Sequence, residues 1–114
     1  MRMFATLLAA ISLAGCDPTP VLSGRYHYGG EVDIVCPCGS ALCYWVRAEP
    51  ELAKQLHDFA QRHAEAPYQA VFLRWRGRLL DEQRVGFPAN YDGLMSVDEV
   101  LTLTTAIPED CPGL

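Results

Sequence analysis

The sequence predicts a mainly β domain with a single helix, an α+β chain of order β-β-β-α-β-β carried behind a cleaved leader. Three observations predict it. Five runs read as strands, with period-two alternation in 24–28, 31–36 and 70–80, the period changes once to that of a helix after Pro50, and residues 1–15 have the make-up of an export signal. The chain has 114 residues, 50% of them hydrophobic and 20% charged. That supports one globular domain and is too short for a Rossmann pair or a (β/α)8 barrel. Fourteen acidic residues against nine basic ones give a net charge of −5. Such a chain lacks the basic footprint that nucleic acid requires.

The first strand starts at Gly24, where Tyr26 and Tyr28 alternate with Arg25 and His27. Gly29-Gly30 breaks it as a hairpin turn does. Residues 31–36 resume a strand, with Val32, Ile34 and Cys36 on one face, and residues 37–41 turn the chain. Residues 42–46 form the third strand. Pro50 suits the first turn of a helix, where its missing N–H is no loss. Leu52, Leu56, Phe59, Ala60 and His63 then share one helical face, and Ala66-Pro67 ends it. Residues 70–80 form the fourth strand. Val71, Leu73, Trp75, Gly77 and Leu79 share its packed face, and Gly77 there marks a bend or bulge. Phe72, Arg74, Arg76, Arg78 and Leu80 share the other. Residues 81–94 read as a loop, 97–105 as the fifth strand, and 108–114 as a tail holding Cys111. This order matches a small five-stranded Greek-key barrel, the OB-fold. The domain organisation expected is a signal peptide at 1–15, a modified cysteine and tether at 16–22, and an OB-like domain at 23–114.

The leader has Arg2 as its positive end, an apolar run over residues 3–13 broken only by Thr6 and Ser12, and small residues at Ala14 and Gly15. The run falls well short of the roughly 20 residues that cross a bilayer. Leu13-Ala14-Gly15-Cys16 resembles the lipobox of bacterial lipoproteins. The resemblance implies that Cys16 is lipidated and becomes the first mature residue, anchoring the protein to the bacterial cell envelope with its domain facing the periplasm. One acyl chain holds only marginally, and the three that the resemblance implies hold almost irreversibly. By the same resemblance, Asp17, next in the chain, implies retention at the inner membrane. Asp17-Pro18-Thr19-Pro20 reads as a short extended tether.

With Cys16 assigned to lipid, Cys36, Cys38, Cys43 and Cys111 remain. An even number in an exported chain reads as disulfides. A Cys36–Cys38 bond is poor, since two residues along a strand hold the sulfurs badly. Two arrangements stay open: Cys36–Cys43 with Cys38–Cys111, or Cys36–Cys111 with Cys38–Cys43. The rival chemistry is a Cu(I) or Zn(II) site using Cys36, Cys38 and Cys43, which an oxidising compartment opposes. His57 and His63 are six apart and do not make an i, i+4 ligand pair. Asp81-Glu82 and Asp98-Glu99 are neighbours that point to opposite faces. There is no nucleophile elbow, His-Glu-x-x-His or P-loop. The expectation is a non-catalytic protein without a cofactor.

Two groups are candidates for contact with a ligand or an envelope protein partner. Arg74, Arg76 and Arg78 form a stripe that is either solvated or apposed to anionic headgroups or an anionic envelope polymer. Tyr26, Tyr28, Tyr44 and Trp45 lie near the strand face on which OB barrels bind, and core burial accounts for them equally well.

Several features together resemble the C-terminal domain of the NlpE-type lipoproteins, which serve envelope-stress sensing and copper homeostasis. They are Gly24-x-Tyr26-x-Tyr28, Cys38-Gly39 followed by Tyr44-Trp45-Val46, the helix with Leu52, a strand ending at Gly77, and Asp110-Cys111. The resemblance runs from about Leu22 to Cys111. It implies an OB-fold and a disulfide from the second-strand region to the last cysteine, which here is Cys38–Cys111, leaving Cys36 for Cys43. That family's separate N-terminal domain with a Cys-x-x-Cys motif has no counterpart in this sequence, and neither Cys36 nor Cys43 has a counterpart in the family. The expected function is a lipid-anchored accessory or binding module of the envelope, tied to stress sensing, with copper or zinc binding as the alternative.

Overall fold

The computed structural model describes residues 19–66 and 68–113. The segment read as a signal peptide, Cys16 and Asp17 lie outside the described residues. The elements are β1 (Val21–Gly29), β2 (Val32–Pro37), β3 (Tyr44–Arg47), α1 (Pro50–His63), β4 (Val71–Arg76), β5 (Leu79–Leu80), a 3-10 turn at Phe87–Asn90, β6 (Leu94–Ser96) and β7 (Glu99–Thr104). The strands form one mixed sheet in the order β5-β6-β3-β2-β1-β4-β7. Pairing is antiparallel except between β3 and β6.

The chain is therefore mainly β with one helix, as its periodicities predict, but it is a seven-stranded open sheet and not a closed five-stranded barrel. The difference has a local cause. The run 70–80 is interrupted at Gly77-Arg78, so that Leu79–Leu80 is a separate strand at the far edge. At Gly77 a Cβ would lie 1.8 Å from the carbonyl oxygen of Ser96. Only a residue without a side chain allows the two backbones that close. Around this corner the hydrogen bonds change partners. Asp98 N–H donates to Arg76 O at 2.8 Å, Ser96 N–H to Arg78 O at 2.9 Å, and Val97 N–H to Arg47 O at 2.9 Å. Leu79, expected on the packed face, is 56% exposed because the strand turns before reaching it.

The second departure is β6, inside the expected loop. Leu94–Ser96 pairs in parallel with β3, Trp45 opposite Leu94 and Val46 opposite Met95. Three residues carry almost no periodic signal, and a distant strand supplies the reason for them to be extended. The last strand consequently starts at Glu99, after Val97 and Asp98 have turned the corner.

Helix α1 covers one opening of the curled sheet, touching β1 and β7. Pro50 lies in its first turn with Glu51, and Arg62 lies in its last, each charge at the helix end that attracts it. The helix ends at His63, a few residues before the expected stop, with Ala64 already extended. Leu56 and Ala60 are buried against Tyr26, Val35, Val46, Leu73, Trp75 and Met95, with Leu52 and Phe59 packed alongside.

The corner can be tested with two glycines. Gly77→Ala is expected to lower stability by about 2–4 kcal/mol, because the backbone of Ser96 must move. Gly30→Ala, where nothing lies within 4 Å, should change stability by no more than about 0.5 kcal/mol. Thermal or urea melts compare them, and equal losses would mean that the bend has another origin.

Candidate functional site

Cys36 bonds Cys43 and Cys38 bonds Cys111, over sequence separations of 7 and 73. The alternative arrangement is not formed. The set Cys36, Cys38 and Cys43 is not assembled as a metal site either, since all three sulfurs are held in disulfides and none is a thiolate. The short bond ties β2 to the approach to β3. The long one brings the tail against the turn after β2, where Gly39 N–H donates to Pro112 O at 2.9 Å.

The aromatic candidates divide by strand face. Tyr26 is fully buried, so it touches no ligand. Its hydroxyl donates to Asp33 Oδ1 at 2.7 Å, and Asp33 Oδ2 lies 3.0 Å from His57 Nε2 on α1. Tyr28 stacks on His57, ring centroids 4.0 Å apart. Both tyrosines of β1 thus serve the side closed by the helix. Tyr44 and Trp45 are half-buried, and Trp45 lies against Tyr91 at 5.8 Å.

The arginine stripe is largely occupied. Arg76 Nε lies 3.3 Å from Glu99 Oε1, and its Nη1 donates to Thr19 O at 3.3 Å. Arg78 donates to Thr19 Oγ1 at 3.0 Å. These two hold the beginning of the domain, and Arg74 remains exposed.

The opposite face of β1 carries what the residue-by-residue reading missed. Arg25 stands opposite Cys36, His27 opposite Ile34, and Gly29 opposite Val32. This face floors a cavity of about 450 Å³, within the roughly 300–1,000 Å³ range of small-molecule sites. Ile34, Pro37 and the Cys36–Cys43 disulfide give it apolar walls, Tyr68 and Tyr91 line it, and the tail at Pro112 and Gly113 borders it. The disulfides and the loops are what build these walls. Asp92 Oδ2 accepts from Cys43 N–H, and Asp92 N–H donates to Cys43 O, both at 2.9 Å, which fixes the loop bearing Tyr91. His27 Nδ1 donates to Tyr68 O at 2.9 Å. Tyr68 has a φ of 64°, a left-handed conformation costly for an aromatic residue, and this bond anchors its carbonyl. The available signal was that Arg25 and His27 share a face with Val32, Ile34 and Cys36, a basic pair over an apolar floor.

No protein-family model, curated protein or solved structure matches the chain.

Two predictions follow from these contacts. Burial, and then the Asp33 carboxylate, raise the phenol of Tyr26 above its ordinary value. A group raised on folding stabilises fully below its unfolded pKa, about 10 for Tyr, and the stability is lost as pH climbs above it. Denaturation midpoints should therefore fall above pH ~10, by up to ~1.4 kcal/mol per pH unit from this group. Tyr26→Phe should remove that component, and an unchanged alkaline slope in the variant would refute the assignment.

The disulfides should differ in weight. By chain entropy the long loop contributes about 4.5 kcal/mol and the short one about 2.5. Cys38→Ser/Cys111→Ser should therefore melt lower than Cys36→Ser/Cys43→Ser, and the reverse order would show that constraint of the unfolded chain is not the governing effect.

Proposed function

We propose that this chain is a lipid-anchored, disulfide-stapled protein of the bacterial cell envelope, acting in the periplasm as a non-catalytic binding or accessory module. The cavity on the β1–β2 face carries the binding part of this reading. It combines apolar walls with two basic side chains and is bounded by segments that two disulfides and several backbone hydrogen bonds hold in place. A preformed concave site of this kind loses little entropy on binding.

The anchor rests on the Leu13-Ala14-Gly15-Cys16 motif, with Asp17 favouring the inner membrane. Thr19, three positions beyond Cys16, is bonded to Arg76 and Arg78. On this reading the domain begins close behind the lipid, and Arg76 and Arg78 stand on the membrane-proximal side. An envelope-stress role is the extension that the NlpE-type resemblance supports. The disulfides speak against the copper or zinc alternative, because a soft-metal site needs thiolates.

One experiment tests anchor and binding face together. A benzophenone amino acid replaces Ala41, which is exposed at the cavity wall, or Glu51, which is exposed on α1. In living cells the expected result is a discrete photo-adduct from position 41 and not from 51, in the membrane fraction. Cys16→Ser should release the protein from membranes. The absence of an adduct from position 41 would overturn the binding face, and a membrane-bound Cys16→Ser protein would overturn the lipid anchor.

A further inference from the structure

The β1–β2 cavity is chemically one-sided. Among the described residues its lining includes Arg25 and His27 and no carboxylate side chain. The chain as a whole carries fourteen acidic residues against nine basic ones, and the described wall around Arg25 draws on none of the acidic ones. Arg25 has no salt-bridge partner among the described residues, whereas Arg47, Arg76 and Lys54 each pair with a carboxylate. Its Nε is sealed from solvent and has no hydrogen-bond partner.

A guanidinium is charged at every pH that a protein survives, and its fork of donors matches an oxyanion. Desolvating it without a counter-charge is unfavourable, and an anion in the cavity offsets that penalty. The tail packs on this side chain: a Cβ at Gly113 would lie 3.0 Å from Arg25 Nε. Tail and disulfide Cys38–Cys111 thereby restrict the side chain before any ligand arrives. The terminal nitrogens of the guanidinium are the ones left to meet a head group. His27, tied through Nδ1 to Tyr68, adds a second polar atom to the same wall. The remaining lining is apolar or aromatic, with Ile34, Pro37 and Tyr91 placed to enclose a hydrocarbon or ring.

We propose that this cavity binds a small amphiphilic anion, its oxyanion head on Arg25 and its apolar body against Ile34, Pro37, Tyr91 and the Cys36–Cys43 disulfide. The proposal rests on the reading of the β1–β2 face as a binding site and adds the class of ligand. A carboxylate and a phosphate monoester share the head-group chemistry, and they come from different sources, a fatty acid or a lipid phosphate.

The test uses the acylated full chain in phosphatidylcholine nanodiscs, with the Ile34 methyl resonances as a local readout. Four probes are titrated: octanoate, octyl phosphate, 1-octanol and inorganic phosphate. At least one of the two amphiphilic anions should shift the Ile34 signals saturably, and which one binds more tightly separates the two sources. Octanol, lacking the charge, and inorganic phosphate, lacking the apolar body, should bind at least about tenfold more weakly. Arg25→Gln should weaken the anion about tenfold or more, and so should Val32→Glu, which places a carboxylate on the cavity wall. Both variants should keep the wild-type disulfides and melting temperature. Equal binding of octanol and octanoate, or an undiminished affinity in Arg25→Gln, would overturn the anionic ligand while leaving the face a binding site. Silence from all four probes would also overturn it. The photo-adduct from position 41 then decides separately whether the face binds anything at all.

Discussion

The fold depends on one close approach, the backbone of Gly77 against the carbonyl of Ser96. A short link joins β4 to β5 and another joins β6 to β7, yet β5 and β7 stand at opposite edges of the sheet. Links that short connect the two ends only if the sheet coils strongly, and a coil that tight brings two chains together at the corner. A side chain at position 77 would hold them apart. With the corner made, β6 lies beside β3, and Trp75, Met95 and Val97 converge in the core beneath α1.

The coiled sheet separates two chemistries along one strand. On β1, alternate residues face opposite ways. Tyr26 goes inward, where a phenol hydroxyl without a partner would be costly, and Asp33 supplies the acceptor. Asp33 also reaches His57, so one carboxylate joins β1, β2 and α1. Arg25 and His27 go outward over Ile34 and Cys36. There the disulfides act on architecture as much as on stability. Cys36–Cys43 is part of the cavity wall, and Cys38–Cys111 holds the tail that borders it.

Much of the fold was legible because burial writes itself into short periods. The alternation around Tyr26 and Trp75 marks strands, and the spacing of Leu52, Leu56 and Phe59 marks the helix. Leu94–Ser96 was not legible, since its extended form depends on pairing with Tyr44–Arg47 some fifty residues earlier in the chain. The candidate site was half legible. The aromatic residues were conspicuous, but three of the four, Tyr26, Tyr28 and Tyr44, pack on the core side. Arg25 and His27 alternate with the tyrosines, but no local pattern tells which face of a strand the helix will close.

By itself the sequence determined the class of chain: a mainly β domain with one helix, with four cysteines beyond Cys16 that suffice for two disulfides. Those properties are local, set by composition, periodicity and residue chemistry over a few positions. Tertiary structure alone decided that the sheet has seven strands in an open order and that Arg25 faces a cavity with no carboxylate in its described lining, and it chose the expected Cys38–Cys111 bond over the other pairing that the residues left open. Each of these is a meeting of segments far apart in the chain. Which segments meet is chosen by how the whole sheet coils to bury Tyr26, Leu73 and Trp75, and no single stretch of sequence contains that choice.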